Sequence, residues 1–247
     1  MSIEDKAGKK EERTENMEKE KNEGRNSRFF YSGFGRQLVF AVFNVIFLIS
    51  LAVTLTVLFR PLYYFDINYL DIPEHSGYSE QTCRENYDVL IDYNLLLSPD
   101  KLEFTDFPMS QEGEIHFAEV KRIFVGAQLA ALVGLPCFVG RLVWQRRRKN
   151  GDFRWLSMTV WVCLALVALV GGCVAVSWET AFVWMHKILF RNDYWIFNAE
   201  TDPVICILPD SFFMHCGILI LALLSAFLIF CVFLKKKQEG ILKEKRS

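Results

Sequence analysis

Two of the four histidines in this chain stand where an imidazole could move protons beside lipid. His116 lies in Glu114-Ile115-His116-Phe117-Ala118-Glu119-Val120-Lys121, the last polar residues before an apolar run opens at Ile123. His186 follows the third apolar run, in a short segment crowded with Trp184, Phe190, Asp193 and Trp195. Each has carboxylates close in sequence: Glu114 and Glu119 for the first, Asp193 for the second. An imidazole with a pKa of ~6.5 exchanges a proton near neutral pH. Placed as a general acid or base, it accelerates a reaction roughly 10²–10⁴-fold. The remaining two histidines read differently. His75, in Pro73-Glu74-His75-Ser76-Gly77, belongs to a turn-like surface segment, and His215, in Phe212-Phe213-Met214-His215-Cys216, suits a structural hydrogen bond at a membrane interface. On the residues alone, His116 and His186 are either a catalytic pair or two structural histidines.

The elements that must position them are membrane spans. Apolar residues make up 52% of the 247, and the charges collect in blocks separated by four long runs with almost none. Crossing ~30 Å of hydrocarbon takes roughly 20 apolar helical residues. Four runs qualify: Gln37 to Phe59, Ile123 to Trp144, Trp155 to Val176 and Phe213 to Leu234. With no water to satisfy the backbone, each must be a helix. The fold class is therefore an all-α polytopic membrane protein with four transmembrane helices. The net charge of −1 averages blocks of opposite sign and excludes nothing.

Basic residues set the expected orientation. Arg25, Arg28 and Arg36 flank the first run, Gln145 to Arg154 carries five Arg or Lys residues, and Lys235-Lys236-Lys237 follows the fourth run. Excess Lys and Arg in short loops marks the cytosolic side, so both termini are expected inside the cell membrane. Residues 1–30, rich in charge and poor in apolar residues, read as a disordered cytosolic tail. Residues 31–236 form the membrane domain, and 237–247 a basic cytosolic tail. The start shows no short apolar core with a cleavage site, so the first run should be retained as a span.

Two loops are then left outside, and both histidines fall in them. Residues 60–122 are too long for a connector and too apolar for disorder, and Tyr63, Tyr64, Tyr69, Tyr78 and the run Tyr87 to Leu97 predict a small extracellular cap with a helix near Glu85 to Leu97. Its Phe, Tyr and Leu residues either rest on the outer leaflet or pack as an ordinary subdomain. The second outer loop, 177–211, is short and aromatic. Cys83 and Cys206 share the outer side and could pair in an oxidising compartment. Cys137, Cys163, Cys173, Cys216 and Cys231 lie inside apolar runs and act as small apolar residues. The chain has no Gly-rich phosphate loop, GxSxG elbow, HExxH, CxxC or Cys/His metal spacing, so no metal, cofactor or nucleic-acid partner is expected.

Several short motifs occur here in a specific order. They are Asn86-Tyr87, the approach from Phe104 to His116-Phe117, His-Phe-x-x-Val-Lys at His116 to Lys121, His186 to Trp195, Thr201-Asp202-Pro203-Val204-Ile205 and Leu208-Pro209-Asp210-Ser211-Phe212-Phe213. Together with four spans they resemble the Lit family, the lipoprotein intramolecular transacylases of Gram-positive bacteria. The resemblance covers roughly residues 36–234. It implies an acyltransferase that moves the sn-2 acyl chain of a diacylglyceryl-modified lipoprotein onto the α-amino group of its own N-terminal cysteine, yielding lyso-form lipoprotein. The family's two histidines match His116 and His186, with Tyr87, Asp193 and Asn198 as candidate substrate-binding helpers. The chain departs from the typical member in its long charged N-terminal tail and in Arg191-Asn192, where small residues are more usual.

The implied chemistry suits the residues. Transfer from an ester oxygen to an amine needs a base, oxyanion stabilisation and an acid for the departing oxygen. Donor and acceptor share one molecule, so no serine or cysteine nucleophile is required. Two rivals remain: a non-enzymatic four-span partner or receptor protein with structural histidines, and a transporter. A transporter would place ionisable residues in mid-span, where this chain has almost none.

Overall fold

The computed structural model describes residues 34–148 and 151–244. The tail of residues 1–30 lies outside them. Four helices are long and apolar enough to cross a membrane: α1 (Phe34–Leu58), α5 (Gln111–Arg147), α6 (Arg154–Val176) and α8 (Asp210–Glu244). Between α1 and α5 lie α2 (Pro61–Tyr69), α3 (Ile72–Ser76) and α4 (Glu80–Tyr93), and α7 (Trp178–Leu189) follows α6 after one residue. A 3₁₀ turn at Pro203–Ile207 leads into α8.

The helix boundaries follow from local chemistry. The cap helix begins at Glu80, five residues before the expected start, because Ser79 accepts a hydrogen bond from the Thr82 amide. It ends at Tyr93, where Asn94 folds its side-chain amide back onto the Leu90 carbonyl. Helix α5 begins at Gln111, twelve residues before its apolar run, on a similar cap in which Ser110 accepts from Gly113. Its 37 residues reach about 55 Å, well beyond ~30 Å of hydrocarbon. The first turns of α5, which carry His116, therefore project past the span. At the other end of the chain, α8 continues through Lys235, Lys236 and Lys237 to Glu244, into the stretch expected as a tail. Its Lys, Gln and Glu residues are good helix formers, and Lys235 meets Glu239 one turn on at 3.6 Å.

Two apolar cores result. One joins Tyr63, Ile67, Ile72, Cys83, Tyr87, Leu90, Phe107, Phe117, Val204, Ile207 and Phe212, and so ties the cap, the start of α5 and the 3₁₀ turn together. The other joins Val45, Phe47, Leu48, Phe138, Trp155, Leu156, Leu224 and Leu228 from all four long helices. There Gly134 lets α5 come close to α1, because a Cβ would collide with the Phe47 ring. Cys83 and Cys206 are both free thiols, Cys83 being part of the cap core.

Candidate active site

His116 sits on the second turn of α5, and His186 in the last turn of α7. The start of α5 is held by a residue far along the chain. Asp202 is buried; its Oδ1 accepts from the Ser110 amide at 2.8 Å, and its Oδ2 accepts from the Thr201 hydroxyl at 2.7 Å. A carboxylate at a helix N-terminus meets the free amides and the positive end of the dipole. Gly113 gives this arrangement room, since a Cβ there would push against Asp202 Oδ1.

Helix α7 was hidden inside the second outer loop. Ser177 caps it by accepting from Thr180, and Trp184, Met185 and Ile188 project from it exposed while His186 turns inward. An apolar exposed face against a buried polar residue is the pattern of a helix lying at a membrane surface. The chain beyond α7 is tied to α5 by Asn192, whose side-chain amide donates to both Glu119 oxygens at 3.2 Å.

These ties bring the two imidazoles to 6.2 Å between ring centroids, 31° apart in plane. No hydrogen bond joins them. Only 5% of His116 and 9% of His186 is exposed. Phe190 packs edge-on against His116 at 4.7 Å and Phe197 at 5.4 Å, while Trp195 stacks on His186 at 4.7 Å with Phe182 at 4.2 Å on another side. His186 Nδ1 donates to the Phe182 carbonyl at 2.9 Å. A carbonyl can only accept, so Nδ1 carries the hydrogen, and in the neutral ring Nε2 is left with its lone pair. Burial lowers the His186 pKa below its ordinary value, against the smaller opposing pull of the Phe182 carbonyl and Asp210. His116 Nδ1 is buried with no hydrogen-bond partner.

The three candidate helpers stand apart from the pair. Tyr87 is in the cap core, stacked on Tyr63 at 3.9 Å and edge-on to Phe212 at 5.7 Å. Asp193 is exposed on the loop, and Asn198 is an exposed turn former whose Oδ1 accepts from Glu200 and whose carbonyl accepts from Asp202. No hydrogen bond or ring contact joins any of them to either histidine among the described residues. His215 donates through Nδ1 to Asp66 at 2.8 Å, and His75 is exposed on α3. Among the described residues no group of three or more His, Cys, Asp or Glu could hold a metal ion.

Sequence reasoning named Glu119 but not its partner, and left Asp202 without a role. The Asp202-Pro203 step and the Ser110-x-x-Gly113 start of α5 were the available signals.

The family described as lipoprotein intramolecular transacylase Lit matches residues 38–213. Among solved structures, the membrane-integral lipoprotein intramolecular transacylase Lit of Bacillus cereus is similar with a TM-score of 0.76 and 31% identity, over 85% of this chain and 95% of that one. A histidine-to-alanine variant of that protein matches at 0.72 with 30% identity, covering 88% and 98%. A histidine-to-arginine variant matches at 0.68 with 30% identity, covering 90% and 98%. No curated protein matches. With the family spanning well over half its length, this chain belongs to the Lit family.

Proposed function

We propose that this membrane protein is an intramolecular transacylase in which His186 is the base and His116 its partner. It moves the sn-2 acyl chain of a diacylglyceryl-modified lipoprotein onto the α-amino group of the same N-terminal cysteine. The observation that carries the assignment is the His186 Nδ1 to Phe182 hydrogen bond, which fixes the tautomer and leaves Nε2 able to accept a proton. Nε2 takes a proton from the cysteine ammonium, and the amine nitrogen attacks the ester carbonyl carbon. The resulting oxyanion lies between the rings, within reach of an N–H of neutral His116. With that first proton passed on to water, Nε2 takes a second one from the nitrogen, now cationic in the tetrahedral intermediate, and as the carbon–oxygen bond breaks the His186 imidazolium gives it to the departing glyceryl oxygen, leaving a neutral amide. Holding amine and ester together is worth ~7–11 kcal/mol, so acid–base help and positioning suffice without a covalent enzyme intermediate.

The same reading sets the orientation. Arg36, Arg146, Arg147, Arg154 and Lys235 to Lys237 collect at the end of the bundle opposite the histidines, and such residues favour the cytosolic side. The termini are then cytoplasmic, residues 60–122 and 177–211 face outward, and the pair lies at the outer leaflet. Exposed Trp184, Ile188 and Ile196 give the membrane lipid and the substrate's acyl chains an apolar margin beside it.

The test is mass spectrometry of a reporter lipoprotein's N-terminal peptide from a host lacking N-acylation, with and without this protein. An acylated α-amine and a free sn-2 hydroxyl are expected only with it. A free α-amine in both would overturn the function.

A further inference from the structure

At the basic end of the bundle, far from the histidines, α1, α5 and α6 leave a groove of about 180 Å³ lined by Phe40, Phe43, Asn44, Cys137, Arg141 and Trp155. Arg141 stands about 9 Å inside the end of α5, counting six residues from Arg147 at 1.5 Å each. A cation at that depth calls for a partner, and the protein supplies none as an ion pair among the described residues. The candidate carboxylate, Asp152, is already engaged by Gln37 at 2.7 Å and by Arg154 at 2.9 Å. The Arg141 guanidinium instead lies over the Phe40 ring at 3.5 Å, and its buried Nε–H has no acceptor. Trp155, fully buried, has an indole N–H that is likewise unpartnered.

The donors in this groove therefore outnumber the acceptors; apart from Asn44, whose amide brings one acceptor along with its own donors, the remaining walls are aromatic and apolar. Buried donors without acceptors are costly, and a phosphate diester would satisfy both at once, with charge assistance from the guanidinium. The volume accommodates a phosphate and glycerol but not a whole lipid. Exposed Phe43 and Cys137 let the acyl chains continue outward into the bilayer.

We infer that this groove binds one anionic phospholipid of the leaflet opposite the histidine face, its phosphate on Arg141 and its first acyl carbons over Phe43 and Cys137. A zwitterionic headgroup would bring an ammonium beside Arg36 and Arg148, whose charges reach Arg141, with Asp152 unable to receive it. Basic pockets between transmembrane helices suit anionic headgroups on these grounds. The inference stands on the groove alone and does not rest on the transacylase mechanism.

Native mass spectrometry of the full-length protein in detergent tests it, with palmitoyl-oleoyl phosphatidylglycerol and phosphatidylcholine added at equal concentration. Phosphatidylglycerol should be retained about tenfold more, the scale of one charge-assisted contact. Arg141→Gln should reduce its retention to the phosphatidylcholine level, and Cys137→Phe, which fills the groove while keeping the charge, should lower retention of both lipids. Both variants should keep transacylation activity, which reports that they fold. Equal retention of the two lipids, an unchanged preference in Arg141→Gln, or displacement by millimolar inorganic phosphate as effective as by lipid would overturn the inference. If Arg141→Gln does not accumulate, Cys137→Phe decides: unchanged retention overturns the site.

Discussion

The histidine end of the molecule and the bundle beneath it are built on different principles. The former is specified by buried polar contacts between residues far apart in the chain. Fully buried Asn86 donates to Thr82 and Asp106 and accepts from the Thr105 and Asp106 amides. Tyr63 donates to the Ile207 carbonyl, His215 to Asp66, and Ser110 to Asp202. Each such bond contributes about 1 kcal/mol net, whereas orphaning one partner costs about 1–3 kcal/mol. The bundle has few such links, and its core of Phe47, Phe138, Trp155 and Leu228 is held by close packing. Lipid tails are as apolar as those side chains, so packing rather than water exclusion must hold the helices together. The difference teaches a division of labour: the bundle supplies depth in the membrane, and the polar end supplies the angstrom-scale placement that the proposed pair of rings needs.

The largest expected effect strikes the pair itself. His186→Ala and His116→Ala should each lower transfer by at least ~10²-fold, the lower bound for acid–base catalysis. Members of one catalytic unit are non-additive, so the double variant should be little worse than either single one. A single-turnover assay on purified diacylglyceryl lipoprotein checks both points, and a variant retaining more than about a tenth of the activity would return that histidine to a structural role. The acid limb of the pH profile follows in sign. Burial lowers the His186 pKa below its ordinary value, so the neutral base persists as pH falls through 6.5. Transfer should keep more than half of its plateau at pH ~6.5 and reach half-loss only lower, and half-loss at or above that pH would contradict the base assignment.

Next come two identical substitutions in the two regions. Gly113→Ala pushes against Asp202 Oδ1, three residues from His116, whereas Gly134→Ala pushes against the Phe47 ring in the bundle. Overpacking costs about 1–3 kcal/mol in either place, yet the consequences should separate. Gly113→Ala should cut turnover per folded molecule about tenfold, while Gly134→Ala should lower the thermal midpoint and leave turnover near wild type. Equal loss of turnover in both would erase the distinction drawn between the regions.

How far these features could be read from the sequence divides along the same line. Four apolar runs announce four helices by length and composition, and His116 and His186 announce themselves as ionisable groups at run edges. The start of α5 was placed too late because an apolar count misses a polar, capped first turn such as Ser110 to Glu114. Helix α7 was missed because its outward face is apolar and only Ser177 marks its beginning. The ties that position the pair, Asp202 to Ser110 and Asn192 to Glu119, join residues 92 and 73 positions apart. No local pattern encodes such distances. Tyr87 illustrates the converse: beside Asn86 it reads as a helper, yet its ring is spent on Tyr63 and Phe212 in the cap core.

A smaller effect is expected at the loop tie. Asn192→Ala removes two donations to Glu119, which are partly solvated, so a loss of a few-fold in turnover is expected, the low end for hydrogen bonds to a charged group. Asn192→Asp should be worse than Asn192→Ala, because it sets two carboxylates against each other. If Asn192→Asp equalled wild type in turnover, the tie would not position His186.

The smallest effect belongs to His75, and it bounds the comparison from below. This histidine lies on the same end of the molecule as His116 and His186 and is of the same chemical type, but it is exposed, and neither a ring contact nor a hydrogen bond holds its side chain. Helix α3 is stopped by Gly77, whose positive φ of 75° suits glycine, and by the backbone bond from Gly77 to Pro73, so the His75 imidazole is not needed for the turn. Surface substitutions of this kind change stability by about 0.5 kcal/mol or less. His75→Ala should therefore leave turnover within about twofold and the thermal midpoint almost unmoved. Measured alongside Gly113→Ala, it separates placement from mere proximity to the histidine face: if His75→Ala lost tenfold, any disturbance of the cap would suffice to disable transfer, and the specific roles of Asp202 and Gly113 would no longer follow.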